Sequence, residues 1–291
     1  MSNAPFSVII PAHNEEDVIG RCLHAVYDGA PPDRLPEVIV AANGCQDRTA
    51  QIARQIAPQA TVLELPAGSK AMAMNEGSRI ATATPRFFLD ADVQCNYRSL
   101  AATAEVLGES GVMAASPRLR MDLSRSDALV RAHYRVWLTQ PYARDRLVGS
   151  GLYGLSETGL KALGAFPKIF GDDIWVHSRF PYDQRRNIDT DRDGNPVYFV
   201  VSPPRKWSDL VRIEARRRVG DAQAYALHPG ARTSRRDRMQ NLRSALSTGA
   251  SPVDVAIYLG LKSAAQARYR WNRFLGKTPV WTRDLNARKP A

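Results

Sequence analysis

The chain has 291 residues, 44% of them hydrophobic and 24% charged, which can bury a core and excludes a disordered or collagen-like chain. Three scattered cysteines, Cys22, Cys45 and Cys95, lack metal-ligand spacing and argue against a disulfide framework, so a reducing compartment is expected. The net charge of +11 is uneven: residues 1–202 hold 21 Lys/Arg against 23 Asp/Glu, and residues 203–291 hold 19 against 6.

Ser7 to Ile10 reads as a buried first strand closed by Pro11, and Glu15-Glu16 open a helix with apolar positions Val18, Ile19, Cys22, Leu23 and Val26. Glu37 to Val40 is a second strand, running into Ala41-Ala42-Asn43-Gly44, a turn whose glycine lets backbone approach a ligand. Asp47 to Ile56 is a helix, Thr61 to Leu65 a strand, and Ser69 to Thr82 a helix rich in small residues. Phe87-Phe88-Leu89 then runs straight into Asp90-Ala91-Asp92. Strand and helix alternate three times, which predicts a parallel sheet with right-handed crossovers. Asp90 and Asp92 fall at the carboxyl edge of that sheet, where ligands bind in open α/β folds. Two carboxylates held together suit a cation, and oxygen-only ligands suit Mg2+ or Mn2+ with the remaining ligands from phosphate and water. An isolated Asp-x-Asp is equally an ordinary strand end with two solvated acids.

Farther on, Tyr97 to Leu107 and Ser126 to Leu138 read as helices and Val112 to Ala115 as a strand. Gly149 to Gly154 matches G-x-G-x-x-G, but in the wrong half of the chain for a dinucleotide fingerprint; a loop lining a cleft fits better. Asp189 to Gly194 mimics the start of a calcium loop, yet position twelve is Val200 where a Glu is needed, so a hairpin turning at Asp193-Gly194 is expected. Lys206 to Gly220 is a very basic helix. Val253 to Phe274 is another, with Val253, Ala256, Ile257, Gly260, Leu261, Ala264, Trp271 and Phe274 on one stripe. Such a helix either lies in a membrane interface or docks on its own domain. The basic tail points to an anionic partner or is merely a solvated face.

Several stretches together resemble the family 2 glycosyltransferases. Val8 to Glu16 is similar to that family's opening, Asn43 to Thr49 to its second loop, and Gly68 to Gly77 to its third. Leu89-Asp90-Ala91-Asp92 resembles its metal-binding Asp-x-Asp, Gly149 to Leu155 its acceptor loop, and Gly171-Asp172-Asp173 its acidic catalytic motif. The resemblance implies a GT-A fold, an α/β architecture with a Rossmann-like, mostly parallel sheet flanked by helices, here with a basic helical C-terminal extension. The expected boundaries are 1–225 for the transferase domain (donor half 1–95, acceptor half 96–225) and 226–291 for the extension. It also implies that Pro11, Ala12, His13, Asn14, Glu15, Asn43, Asp47, Lys70, Asp90, Ala91 and Asp92 cradle a nucleotide-sugar, with UDP the leading nucleotide. Asp90 and Asp92 would hold Mn2+ or Mg2+, Gly149, Ser150 and Gly151 would meet the acceptor, and Asp173, with Asp172, would take the acceptor's proton.

The family inverts configuration in one displacement, so no covalent nucleophile is required. Asn43-Gly44-Cys45 departs from the usual Asp-Gly-Ser, and Asp172 replaces a Glu. The stretch Arg212 to Val219 lacks the Gln and Trp of processive synthases, implying a non-processive enzyme. The expected acceptor is a glycan, lipid-linked or of the cell envelope, and no nucleic-acid partner is expected. Residues 1–5 have no positive n-region and no run approaches the ~18 apolar residues of a spanning helix. A cytoplasmic protein is expected, with peripheral contact at the inner face of an anionic membrane. Two rivals are a haloacid-dehalogenase-type phosphatase, which also uses Asp-x-Asp and Gly-Asp-Asp, and a non-catalytic module binding lipid or nucleic acid through the tail. The first would leave residues 7–80 without a job, and the second would leave both acidic pairs unexplained.

Overall fold

The structure, a computed structural model, describes residues 4–144, 149–228 and 245–277. Of the expected extension 226–291, residues 229–244 and 278–291 therefore lie outside the described residues. Strands β1 (Ser7–Ala12), β2 (Glu37–Asn43), β3 (Thr61–Leu65) and β4 (Arg86–Leu89) alternate with helices α1 (Ile19–Tyr27), α2 (Thr49–Ile56) and α3 (Lys70–Ile80). After β4 come β5 (Gln94–Cys95), α4 (Tyr97–Leu107), β6 (Ala114–Met121), α5 (Ala128–Trp137) and α6 (Pro141–Arg144). Then follow β7 (Leu152–Leu155), α7 (Glu157–Leu163), α8 (Asp172–Arg179), β8 (Arg185–Ile188), β9 (Tyr198–Val201), α9 (Trp207–Leu227) and α10 (Pro252–Phe274).

The sheet runs in the order β3-β2-β1-β4-β7-β6-β9-β5, with β8 also paired to β6. β1 is flanked in parallel by β2 and β4, so the chain winds outward through β2 and β3 and then returns to the other side of β1. That reversal opens a crevice at the carboxyl ends of β1 and β4. Both faces of these strands are covered, which explains their unbroken apolar runs. Val8, Ile10 and Phe87 enter one core with α1, whereas Ile9 and Phe88 enter a second with Met74, Tyr153 and Phe166. Phe88 stacks on Tyr153 at 5.4 Å and meets Phe166 edge-on at 4.8 Å. A buried aromatic of this size contributes roughly 1.5–3 kcal/mol by removal from water.

One expectation about the strands needs correction. Leu152–Leu155, read within a cleft loop, is strand β7, antiparallel to both β4 and β6. Its shortness and the glycines at 149, 151 and 154 hid it. The hairpin expected at Asp193-Gly194 forms as a short one around Gly194 (φ 79°): Thr190 bridges Pro196 antiparallel, and the Asp191 and Val197 N–H groups donate to the Asn195 and Asp189 carbonyls at 2.9 Å each. β8 and β9 both run parallel to β6, pairing with its successive halves, so the turn is an excursion within one interrupted edge.

Helix α10 packs on α5 and α9. Arg135 grips Asp254 with two bonds (2.9 and 2.6 Å), and Lys262 Nζ reaches Glu214 at 2.5 Å. The buried side chains are Asp254, Tyr258, Leu261 and Ala265. The apolar stripe expected from the sequence is docked only in part: Leu261 is buried and Ile257 half-buried, whereas Val253, Ala256, Gly260, Ala264, Trp271 and Phe274 face out.

Candidate active site

Five loops meet at the crevice, and short polar contacts fix their backbones. Asn43, 3% exposed, donates its amide to the Ala12 carbonyl (2.8 Å) and the Ala41 carbonyl (3.1 Å) and accepts from the Ser69 N–H (2.9 Å). Asn43, expected among the residues that cradle the nucleotide, thus locks the ends of β1, β2 and α3 together. The His13 ring lies 2.6 Å from the Asn43 carbonyl, and Asn14, in a left-handed conformation (φ 52°), accepts from the Gln46 N–H at 2.6 Å. Asp47 accepts from the Thr49 N–H (3.0 Å) and the Glu16 N–H (3.2 Å), the latter fastening the first loop to the second. Thr49 in turn receives the Glu15 N–H at 2.7 Å. Pro11, Ala12 and Glu15 are buried beneath this layer, and His13, Asn14 and Asp47 are half-buried at its surface.

Lys70 is the first residue of α3, whose start is capped by the Ser69 hydroxyl accepting from the Met72 N–H (3.3 Å). Its ammonium lies 2.6 Å from Asp90 and 3.0 Å from Asp172, joining the acid at the end of β4 to the acid at the start of α8. Burial disfavours its charge, but Asp172 and Asp90 hold its pKa above the ordinary lysine value. Burial pushes Asp90 up to about 6; Lys70 pulls against that, while Asp172 and Asp92 add to it. Ala91 and Val93 are buried, and Asp90 and Asp92 are half-buried at the edge.

The segment Gly149-Ser150-Gly151 threads between the two acidic motifs. All three residues have positive φ (135°, 58° and 99°), a path that favours glycine. The Gly151 carbonyl accepts from the Asp90 N–H at 2.8 Å. A Cβ at Gly149 would stand 2.8 Å from that of Asp173, and one at Gly151 would stand 2.7 Å from Val93. No larger residue fits there without parting the motifs.

Asp172 and Asp173 form the first turn of α8, where the helix dipole favours carboxylates. Both oxygens of Asp172 are engaged, one by Lys70 and one by the Tyr153 hydroxyl at 3.2 Å. Asp173 Oδ1 accepts from the adjacent Ile174 N–H (2.8 Å), and its Oδ2 lies 3.6 Å from where a Gly149 Cβ would be. Helix α9 supports this turn from behind. A Cβ at Gly220 would collide with the Phe170 carbonyl at 1.6 Å, so glycine is required for the approach.

Two residues of the site were not singled out from the sequence, Tyr153 and Asp221; Arg217 belongs to the Arg216-Arg217-Arg218 run that ends the basic stretch Lys206 to Gly220, whose arginines were candidates for phosphate contact. Tyr153 was hidden in the stretch read as loop, although its place in an apolar run was a usable signal. Arg217 holds Glu214 at 2.9 Å, and its pKa lies above the ordinary value because Glu214, Tyr134 and Asp173 outweigh its burial. Asp221 is pushed up to about 6 by burial and then by Asp173 and Glu214. Nothing in the spacing of α9 marked Asp221.

Among the described residues no three His, Cys, Asp or Glu side chains gather as a ready metal site. Asp90 and Asp92 can supply a hard divalent cation with two oxygen donors, and the close ion pair of Asp90 with Lys70 marks a position where positive charge is favoured. This fits a cation that completes its shell with diphosphate oxygens and water.

The glycosyl transferase family 2 profile matches residues 7–153. The glycosyltransferase AglE of Haloferax volcanii is 37% identical over 117 residues, 38% of each chain, so the match spans well under half of that relative. Among solved structures, the mannosyltransferase PcManGT of Pyrobaculum calidifontis, in complex with GDP-Man and Mn2+, superposes with a TM-score of 0.59. It is 22% identical, covering 95% of this chain and 81% of that one. Glucosyl-3-phosphoglycerate synthase of Mycobacterium tuberculosis, in complex with Mn2+, UDP-glucose and phosphoglyceric acid, has a TM-score of 0.54. It is 20% identical, covering 77% of this chain and 79% of that one. These likenesses show the GT-A fold. With the family profile spanning half of its length, the chain belongs to glycosyl transferase family 2.

Proposed function

We propose that the protein transfers one sugar from a nucleotide-sugar, with a UDP-sugar the leading donor, to an acceptor hydroxyl with inversion at the anomeric carbon. The observation that carries this reading is the Gly149–Gly151 segment, which touches Asp90 on one side and Asp173 on the other. A donor diphosphate at Asp90 and an acceptor hydroxyl at Asp173 would then meet across one thin strip of backbone. The loops bearing His13, Asn14 and Asp47 would shape the nucleotide pocket, with Asn43 fixing their geometry from beneath.

Asp90 and Asp92 would hold Mn2+ or Mg2+. The cation supplies Lewis-acid neutralisation of the leaving diphosphate. Lys70, already cationic and shared by two acids, adds charge at the same place and can swing toward phosphate oxygens. Asp173 is assigned as the base because both oxygens of Asp172 are engaged; within hydrogen-bond reach it would take the acceptor proton as the new bond forms. Asp172 keeps Lys70 and Tyr153 in place. The domain boundaries, 1–225 and 226–291, stand as part of this reading. So does the acceptor, a glycan, lipid-linked or of the cell envelope, met at the cytoplasmic face of an anionic membrane. No described helix is long and apolar enough to cross a membrane.

The test is isothermal titration of UDP with and without Mn2+, on the wild type and on Asp92→Ala. Metal-dependent binding that the variant loses is expected. GDP and TDP are titrated alongside, since Asn43 does not present its amide to a base. If none of the three binds under either condition, the reading fails.

A further inference from the structure

Helix α10 has a docked side and an undocked side. The docked side, Asp254, Tyr258, Leu261 and Ala265, is buried against α5 and α9. On the other side, Val253, Ala256, Gly260, Ala264, Trp271 and Phe274 follow helical spacing and are all exposed. From Gln266 to Lys277 no residue is buried. Trp271 is 61% and Phe274 82% exposed, their rings 6.0 Å apart. Large apolar groups left together in this way mark an interaction surface.

The chemistry around them selects the partner. Arg268, Arg270, Arg273 and Lys277 flank the two rings, all exposed, with no acidic residue from Gln266 to Lys277. A second copy of the same face would bring like charges together. An aqueous anion would leave the rings in water. An anionic bilayer satisfies both features at once, since indole and phenyl rings settle at the headgroup boundary while guanidinium groups meet lipid phosphates. The helix is about 35 Å long and is held rigidly at Asp254 and Lys262, so the surface is ordered before it meets a partner.

We propose that the outer face of α10, ending in Trp271 and Phe274, is the surface by which the protein lies on an anionic lipid bilayer. This deepens the membrane-side part of the proposed function and rests on it. It names the docking residues and leaves the donor chemistry aside.

Cosedimentation with phosphatidylglycerol/phosphatidylcholine vesicles and with phosphatidylcholine alone, at low and high salt, tests it on the wild type, Trp271→Ser/Phe274→Ser and Arg270→Glu/Arg273→Glu. The wild type should bind the anionic vesicles, less so at high salt, and each double variant should bind roughly tenfold more weakly. These side chains are exposed, so thermal stability and UDP binding should be unchanged; they verify that the variants fold. Wild type that stays in the supernatant at low salt overturns the proposal, as do double variants that bind like wild type. A dimer by light scattering that Trp271→Ser/Phe274→Ser converts to a monomer, or oligonucleotide binding lost in that variant, each without vesicle binding, assigns the face to another partner and also overturns it. UDP titration on the same samples separates the readings: failure on vesicles with intact nucleotide binding removes only the bilayer surface, and the reverse removes only the transferase reading.

Discussion

The donor-side edge and the α9–α10 layer solve opposite electrostatic problems. Residues 1–202, with 21 basic against 23 acidic residues, are nearly balanced, and their functional acids are gathered where the end of β4 meets the start of α8. There Lys70 serves two carboxylates. Residues 203–291, with 19 basic against 6 acidic, have the reverse shortage, and one acid serves two cations: Glu214 is bonded by both Lys262 and Arg217. Each bridge ties together elements distant in sequence. The first sits in a half-open crevice where a phosphate ligand can take over the lysine. The second is closed and holds a helix in place. A shared counter-ion can therefore be a substrate site or a clasp, and exposure decides which.

The largest effect expected is at the crevice. Asp173→Asn should lower kcat by roughly 10²–10⁴, the usual worth of a positioned base, while titration shows UDP or GDP binding within twofold of wild type. An equal loss in Asp172→Asn with none in Asp173→Asn would exchange their roles. On the clasp, Glu214→Ala leaves two cations facing one another beneath α10 and should cost about 3–5 kcal/mol in chemical denaturation. Arg135→Ala should cost less, about 1 kcal/mol, because that arginine is half exposed.

Acid separates the two regions further. His133 is fully buried, its ring tilted against Tyr258 at 4.9 Å, and neither ring nitrogen has a hydrogen-bond partner among the described residues. Burial, partly offset by Glu214, lowers its pKa from 6.5 to about 4. Between those values the unfolded chain binds a proton that the folded chain refuses, so stability falls as pH drops from 6.5 toward 4, by on the order of 3 kcal/mol. Glu214 acts lower down. Burial would raise its pKa, but Lys262, Arg217 and His133 bring it to about 2. Its contribution is complete above about 4.5 and is lost as pH falls toward 2. Denaturant midpoints measured from pH 7 to pH 3 should show the first slope vanish in His133→Phe and the second flatten in Glu214→Gln. The smallest effect is expected at Arg54–Glu64, an exposed pair at 2.6 Å; Arg54→Ala should shift stability by no more than about 0.5 kcal/mol.

Much of the donor half was legible because its signals are local. An apolar strand buried on both faces, a small-residue helix packed on it and two acids at the strand end are each readable within ten residues. Lys70 and Asp90 could be named for the same reason. The contacts of Lys70 with Asp90 and with Asp172 could not, because they join residues 20 and 102 positions apart. Tyr153 was missed because a four-residue strand preceded by Gly149 and Gly151 and interrupted by Gly154 looks like a loop until β4 and β6 are placed beside it.

The helical stripe of α10 shows the limit most clearly. A 3.6-residue period says that some face is apolar, and both Tyr258–Leu261–Ala265 and Val253–Gly260–Trp271 satisfy it. The sequence by itself determined the strand order of chemistry along the chain, the helix and its charge, and the acids at the sheet edge, since propensity, periodicity and spacing are local properties. Only the tertiary structure decided which stripe is covered, which acid is engaged by Lys70, and that Asn43 faces inward. Those outcomes depend on which distant surfaces meet, and a buried ion pair or a shared hydrogen bond exists only once they have met.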